Sequence, residues 1–315
     1  MPPSSPHADR SSWNFPVPET IAQSTAPPGS PLSFAEARIF SHNGVVIDAE
    51  NRLRAGLSPD FRPPPSGHRV LDYSGLPEPK PVDAHVLALA TPACWKNYFH
   101  WIIDALPRLR SLDLRDFDLV CTPLGQPFHA EALEALDIPA DRWLEATVDS
   151  HFLCRRVTGV SPLPIGAIDR DGISFLRDTF RIQPQAPSRR IYVSRSDAWR
   201  RRLLNEDDFQ PFLRRLGFET VTITGLTIRE QADLFSSAQA VIAPHGAALA
   251  NLVFAPPACR VLELFPDNLH SPHFENLAAI CGIRHIAHPS PAANIDGDFH
   301  LQLDLVPAVL ERFLR

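Results

Sequence analysis

The sequence predicts an α/β protein made of two tandem units, and three observations carry that prediction. From His85 onward, short apolar runs alternate with stretches of helical periodicity, the pattern of a parallel sheet whose strands are joined by helices. The series breaks once, at about Gln183 to Ser188, and then resumes. The length of 315 residues suits two domains at roughly 150 residues each. Two α/β units with a cleft between them is the simplest architecture consistent with all three.

The elements follow in order. Residues 1–33 hold eight prolines and seven serines and read as a flexible tail. Ala37 to Leu53 reads as a β-hairpin region, with Asn43-Gly44 supplying the turn. Pro59 to Pro81, with seven prolines, reads as an extended connector. In the first unit, residues 34–184, strands are expected at His85 to Ala90 and Asp118 to Thr122, and helices at Asn97 to Leu112 and His129 to Leu136. In the second, residues 185–315, strands are expected at Arg190 to Ser194, Glu219 to Ile223, Ala240 to Ala243 and Arg260 to Phe265. Helices are expected at Asn205 to Leu216, Ile228 to Ala238 and Ala247 to Phe254, and Leu301 to Leu314 is an amphipathic closing segment.

Composition narrows the function. A net charge of −6 argues against a general nucleic-acid binder, which needs a basic surplus. Of the 30 basic residues only two, Lys80 and Lys96, are lysines, which leaves 28 arginines; phosphate recognition and codon bias both explain such a skew. The five cysteines are irregularly spaced without a Cys-x-x-Cys pair, so neither zinc nor a disulfide framework is expected. No apolar run reaches the roughly 18 residues of a membrane span, and no leader pattern opens the chain. A cytoplasmic protein is expected, with room for peripheral contact at a membrane face.

Four stretches carry chemistry. Ala240 to Phe254 is a buried strand, a Pro244-His245-Gly246 turn and a helix. Gly246 admits close approach of a ligand, and the helix N-terminus at Ala247 favours an anion. On the next strand, Glu263 sits among apolar residues and would need a partner such as ribose hydroxyls; a solvent-facing edge position is the alternative. At a third strand end, Arg195 and the run Arg200 to Arg202 offer cations to a diphosphate, although a solvated loop accounts for most of them. Asn205 reads there as a helix N-cap. In the first unit Asn97, His100 and Asp104 share one helix face, and His100 with Asp104 forms an i,i+4 pair suited either to general-base work or to a satisfied core. Pro107 should kink that helix. Asp116-Phe-Asp118 and Asp296-Gly-Asp298 read as surface acids, and His270-x-x-His273 and His285-x-x-His288 as weak metal candidates lacking a third ligand.

The ordered set Asn97-Tyr-Phe-His100-Trp-x-x-Asp104-x-x-Pro107-Arg-Leu, Tyr192-Val-Ser-Arg195, Arg202-Leu-x-Asn205-Glu206, Gly217-Phe, Glu230-Gln231, His245-Gly246-Ala-x-Leu-x-Asn251 and Val261-x-Glu263-Leu resembles glycosyltransferase family 61, in its bacterial capsular-polysaccharide form. The resemblance implies a GT-B-like fold of two Rossmann-like domains facing a cleft. It implies inverting transfer from a nucleoside-diphosphate sugar, UDP-linked, to a glycan or other hydroxyl acceptor, with no metal and no cofactor. It implies that Asp104, helped by His100, is the base. Arg195, Arg202, Asn205, His245, Gly246, Ala247, Asn251 and Glu263 would hold the donor, and Asn97 and Trp101 the acceptor side. A non-catalytic nucleotide-sugar or glycan-binding scaffold is the alternative. A serine hydrolase is disfavoured because no Gly-x-Ser-x-Gly elbow occurs.

Overall fold

A computed structural model describes residues 12–61, 67–269 and 271–315. The chain divides into two compact units, Met1–Ile168 and Asp169–Arg315.

The first unit is built on an eight-stranded mixed sheet. Its strands are β1 (Thr20–Ala22), β2 (Pro31–Phe40), β3 (Val45–Ile47), β4 (Arg52–Arg54), β5 (Lys80–Ala88), β6 (Leu119–Thr122), β7 (Trp143–Glu145) and β8 (His151–Val160), in the order β1-β4-β3-β2-β8-β5-β6-β7. The run β8-β5-β6-β7 is parallel, with helix α1 (Pro127–Ala135) in the crossover from β6 to β7. The other half joins the same sheet through β2, which pairs antiparallel with β8, and is the expected hairpin extension, in which β2, β3 and β4 pair antiparallel. Their links are too short for a parallel crossover, which takes about a dozen residues or more.

The hairpin forms as expected, with Arg38 opposite Ile47 and Phe40 opposite Val45. In its loop, Gly44 (φ 67°) and Ser41 (φ 60°) take left-handed backbone, and Asn43 does not. Alternate residues of β2 enter two different cores. Ala37 and Ile39 join Val86, Ala88, Cys154 and Val157. Phe40 joins Val45, Ile47, Leu53, Val70 and Leu76, against which Trp13, Phe15, Val17 and Ile21 pack.

The expected flexible tail is therefore ordered from residue 12 onward, and residues 1–11 lie outside the described residues. Apolar side chains at every second position, Trp13, Phe15 and Val17, have strand spacing and cover one face of the sheet despite the prolines around them. Phe15 and Leu76 exchange both backbone hydrogen bonds, at 2.9 and 2.8 Å. Of the expected connector, residues 62–66 lie outside the described residues, and Arg69–Asp72 forms a 3₁₀ turn that buries Val70.

The helix expected over Asn97 to Leu112 has two other windings. His100–Ala105 is a π turn closed by the Leu106 N–H on the Trp101 carbonyl, and Leu106–Ser111 is 3₁₀. Pro107 lacks the N–H that would continue an α ladder, so the winding changes at this proline.

The second unit has five parallel strands, β9 (Arg189–Val193), β10 (Glu219–Val221), β11 (Ala238–Pro244), β12 (Arg260–Pro266) and β13 (Arg284–Ser290), in the order β10-β9-β11-β12-β13. In chain order this is a 2-1-3-4-5 doubly wound sheet, whose direction of winding reverses between β9 and β11. Helices α3 (Glu206–Arg215) and α6 (Val306–Leu314) cover one face, setting Phe209, Leu213, Val306, Leu310 and Phe313 on Tyr192, Ile242, Leu262 and Leu264.

Around the Ala247–Phe254 segment, which is 3₁₀ and not the expected α-helix, pack α2 (Arg170–Thr179), α4 (Ile228–Ser236) and α5 (His273–Cys281). The Arg177 Nε donates to the Val253 carbonyl at 2.7 Å, and Phe180 meets Phe254 edge-on. These contacts fasten α2 to the second unit, so the boundary falls after Ile168 and not near residue 184. All five cysteines are free and buried, and burial pushes their thiols up, to about 12 for Cys154 and Cys259. Among the described residues no helix is long and apolar enough to cross a membrane.

Candidate active site

In the first unit the polar stripe resolves into residues of different use. The Asn97 side chain accepts the Phe99 N–H at 3.0 Å and so starts the helical turn. Trp101, expected on the acceptor side, is fully buried, and its indole N–H donates to the Phe128 carbonyl at 3.2 Å. It supports the turn from behind and has no surface to offer a sugar.

His100 and Asp104 do come together. The His100 Nδ1 lies 2.7 Å from Asp104 Oδ2, and the Gly166 N–H donates to Asp104 Oδ1, also at 2.7 Å. Gly166 has φ 81°, a left-handed conformation glycine adopts without penalty, and no motif marks it in the sequence. Arg108 is buried and donates to the carbonyls of Ala90 (2.8 Å), just beyond the end of β5, and Val160 (2.9 and 2.6 Å), the last residue of β8. Burial lowers its pKa to about 10. By pinning the helix to two strand ends, it fixes the position of the dyad.

In the second unit the reversal of the sheet brings together two loops, one leaving β9 and one leaving β11. In open α/β sheets ligands bind at such a reversal, outside the carboxyl ends of the strands. Arg195 leaves β9 and His245-Gly246 leave β11. A Cβ on Gly246 would lie 2.0 Å from Arg195 Nη1, so glycine is what gives the guanidinium its place.

Arg195 donates to the Arg200 carbonyl at 3.1 Å, and its buried Nε has no partner among the described residues. The buried Nε of Arg201 has none either. Both guanidinium pKa values are lowered. For Arg195 the cause is burial and then Arg200; Arg201 falls to about 10 through burial and then repulsion from Arg195 and Arg200. Neither has a paired carboxylate in the salt bridges of the described residues. Two half-buried cations without a paired anion are costly to fold unless they meet one in function.

Several expected donor ligands are committed elsewhere. Arg202 pairs with the buried Asp298 at 2.8 Å, and its backbone N–H bonds the same carboxylate. Asp298 is therefore an interior acid and not a surface one. Asn205 does not cap α3; its amide makes two bonds to the backbone of Leu301, at 2.9 and 3.0 Å. Asn251 is buried and donates to Gln231 and the Ala248 carbonyl. Glu263, expected to hold ribose, is enclosed between His245 Nδ1 (2.5 Å) and His285 Nε2 (2.7 Å), one on each oxygen. Burial alone pushes this carboxyl up, and the two histidine hydrogen bonds overcome burial and hold it below the usual range.

His285 lies on β13, where residues three apart face opposite ways, so it does not act with His288 as a chelating pair. His270 lies outside the described residues. Asp118 accepts from the His85 N–H and pairs with Arg155, a structural use.

Arg195 thus brings unpaired positive charge to the reversal of a doubly wound sheet, in a chain that also carries a His–Asp dyad. Residues 98–262, just over half of the chain, match glycosyltransferase family 61, and the protein belongs to that family. It is 33% identical over 170 residues to a protein of Oryza sativa subsp. japonica named as the beta-1,2-xylosyltransferase XAX1. The match takes in 53% of this chain and 29% of the rice protein, so the chain spans under a third of that relative.

Proposed function

We propose that this glycosyltransferase moves a sugar from a UDP-linked donor to a hydroxyl of a glycan with inversion, without a metal ion, as a step in building a surface polysaccharide on the cytoplasmic side. The observation that carries the reading is the pair Arg195 and Arg201, both with buried unpartnered Nε atoms, of which Arg195 lies against the Gly246 turn. Their charge suits a diphosphate, and the N–H groups that open the Ala247–Phe254 turn add partial positive charge.

The division of labour is of the GT-B type. The second unit holds the donor, and the His100–Asp104 dyad of the first supplies the base. The acceptor oxygen attacks the anomeric carbon on the face opposite the diphosphate. As that bond forms, the bond from the anomeric carbon to the phosphate oxygen breaks and its electron pair leaves with UDP. Arg195 and Arg201 neutralise the charge that gathers on the leaving group, and they need no reorganisation to do so. The rice relative's name makes xylose the first sugar to test.

The test is a thermal-shift series with UDP, GDP, CDP, UDP-xylose and UDP-glucose. A ligand present at 100 times its Kd stabilises the fold by about 2.7 kcal/mol, which raises Tm by several degrees. Failure of every nucleoside diphosphate to raise Tm would overturn the donor assignment.

A further inference from the structure

We infer that His100 takes the proton from the acceptor hydroxyl, on its Nε2, and that Asp104 is the positioning residue that orients it. This rests on the transfer reaction proposed above and settles which member of the dyad does the chemistry.

Asp104 is poorly placed to act itself. Its side chain is 4% exposed, and each carboxylate oxygen already accepts a hydrogen bond at 2.7 Å, one from Gly166 and one from His100. A proton delivered to either oxygen would remove the charge that strengthens both of these bonds. His100 has the complementary situation. With Asp104 accepting from Nδ1–H, the ring's remaining lone pair is on Nε2, which has no hydrogen-bond partner among the described residues. The His100 side chain is 12% exposed, three times the value for Asp104.

The ring is also held on its sides. Phe61 and Phe99 meet it edge-on, with centroids 5.4 and 5.3 Å away. Arg108 and Cys94 both lie near Asp104, and both are buried. The carboxylate compensates the imidazolium that forms, which is the arrangement of a base oriented by a third group. The step balances: the acceptor O–H bond breaks, its proton goes to His100 Nε2, its oxygen bonds the anomeric carbon, and UDP departs with the electron pair of the broken bond.

The test measures UDP release from whichever UDP-sugar the wild-type chain turns over, together with UDP affinity by calorimetry. His100→Ala is expected to lose about 100-fold or more in turnover, the usual contribution of general-base catalysis, with UDP affinity unchanged. Added imidazole should restore turnover saturably, and a series of substituted imidazoles should do so in the order of their basicity. Asp104→Ala should not respond to imidazole. His100→Gln, a better steric match, guards against loss of fold and should be equally inactive.

Rescue of Asp104→Ala by formate, combined with no rescue of His100→Ala by imidazole, would overturn the inference and make Asp104 the base. A fully active His100→Gln would overturn it as well. If the wild-type chain binds UDP but turns over no UDP-sugar, the transfer reading fails first, and the inference with it.

Discussion

Gly246→Ala isolates the geometry of the anion site from backbone effects. Gly246 has φ −179° and ψ 166°, extended values that alanine adopts freely, so the substitution acts only through space. The new Cβ would stand 2.0 Å from Arg195 Nη1, 2.8 Å from Cζ and 3.3 Å from Nε. Ordinary contact needs roughly 3.5 Å, so the guanidinium must retreat by about 1.5 Å. That displacement breaks its 3.1 Å bond to the Arg200 carbonyl and withdraws the cation from the turn. A hydrogen bond to a charged group contributes about 1.5–3 kcal/mol, so UDP should bind roughly 10- to 150-fold more weakly. Because the atom that moves is the end of a flexible side chain, the fold should survive with a Tm close to wild type. Calorimetric titration with UDP reads the effect, and Arg195→Ala should add little to Gly246→Ala, since both remove one interaction. A Gly246→Ala protein that binds UDP within twofold of wild type would refute the reasoning.

The adjacent arginines should separate cleanly. Arg201→Ala should weaken UDP about tenfold without lowering Tm, because no carboxylate loses a partner; Arg202→Ala should lower Tm and leave UDP affinity within about twofold, because it strips the buried Asp298, and the opposite pattern would exchange their roles. Acid should act through the same pair. The side-chain bond from Arg202 is the first cause holding the Asp298 carboxyl down at about 2, below the value of about 3.9 expected when unfolded. Its contribution to stability is therefore complete above pH 4 and is lost as pH falls toward 2, and Asp298→Asn should flatten that limb of a Tm-against-pH curve.

The second unit was largely legible because a parallel sheet writes itself as apolar runs bounded by turns, and the strands ending at Val193, Pro244 and Pro266 lie close to where the spacing puts them. The individual partners were less so. Arg202 and Arg201 are neighbours in a basic run, and only the fold reveals that one meets Asp298, 96 residues away in the chain, while the other is left without an anion. Glu263 was recognisable as a buried acid in need of a partner; the partner is a pair of histidines, one from the loop after β11 and one from β13, a strand the periodicity did not reveal. In the first unit, Pro-rich composition concealed the strand-like spacing of Trp13, Phe15 and Val17. The π turn escaped because side-chain spacing of three and four suits α and π windings alike over so short a stretch.

The winding of the second sheet has a consequence for how donor preference can change. The two loops proposed to meet the diphosphate leave neighbouring strands, β9 and β11, whose separation is set by backbone pairing, with Val241 opposite Ile191 and Ile242 opposite Tyr192. On that proposal the phosphate end of any donor is anchored by topology. The segment after β13 shares in holding the β9 loop, because its Asp296 carbonyl accepts from the Arg201 N–H and its Asp298 pairs with Arg202. A laboratory search for altered sugar preference should accordingly draw its libraries from outside these loops and leave Arg195, Arg201, His245, Gly246 and Asp298 untouched.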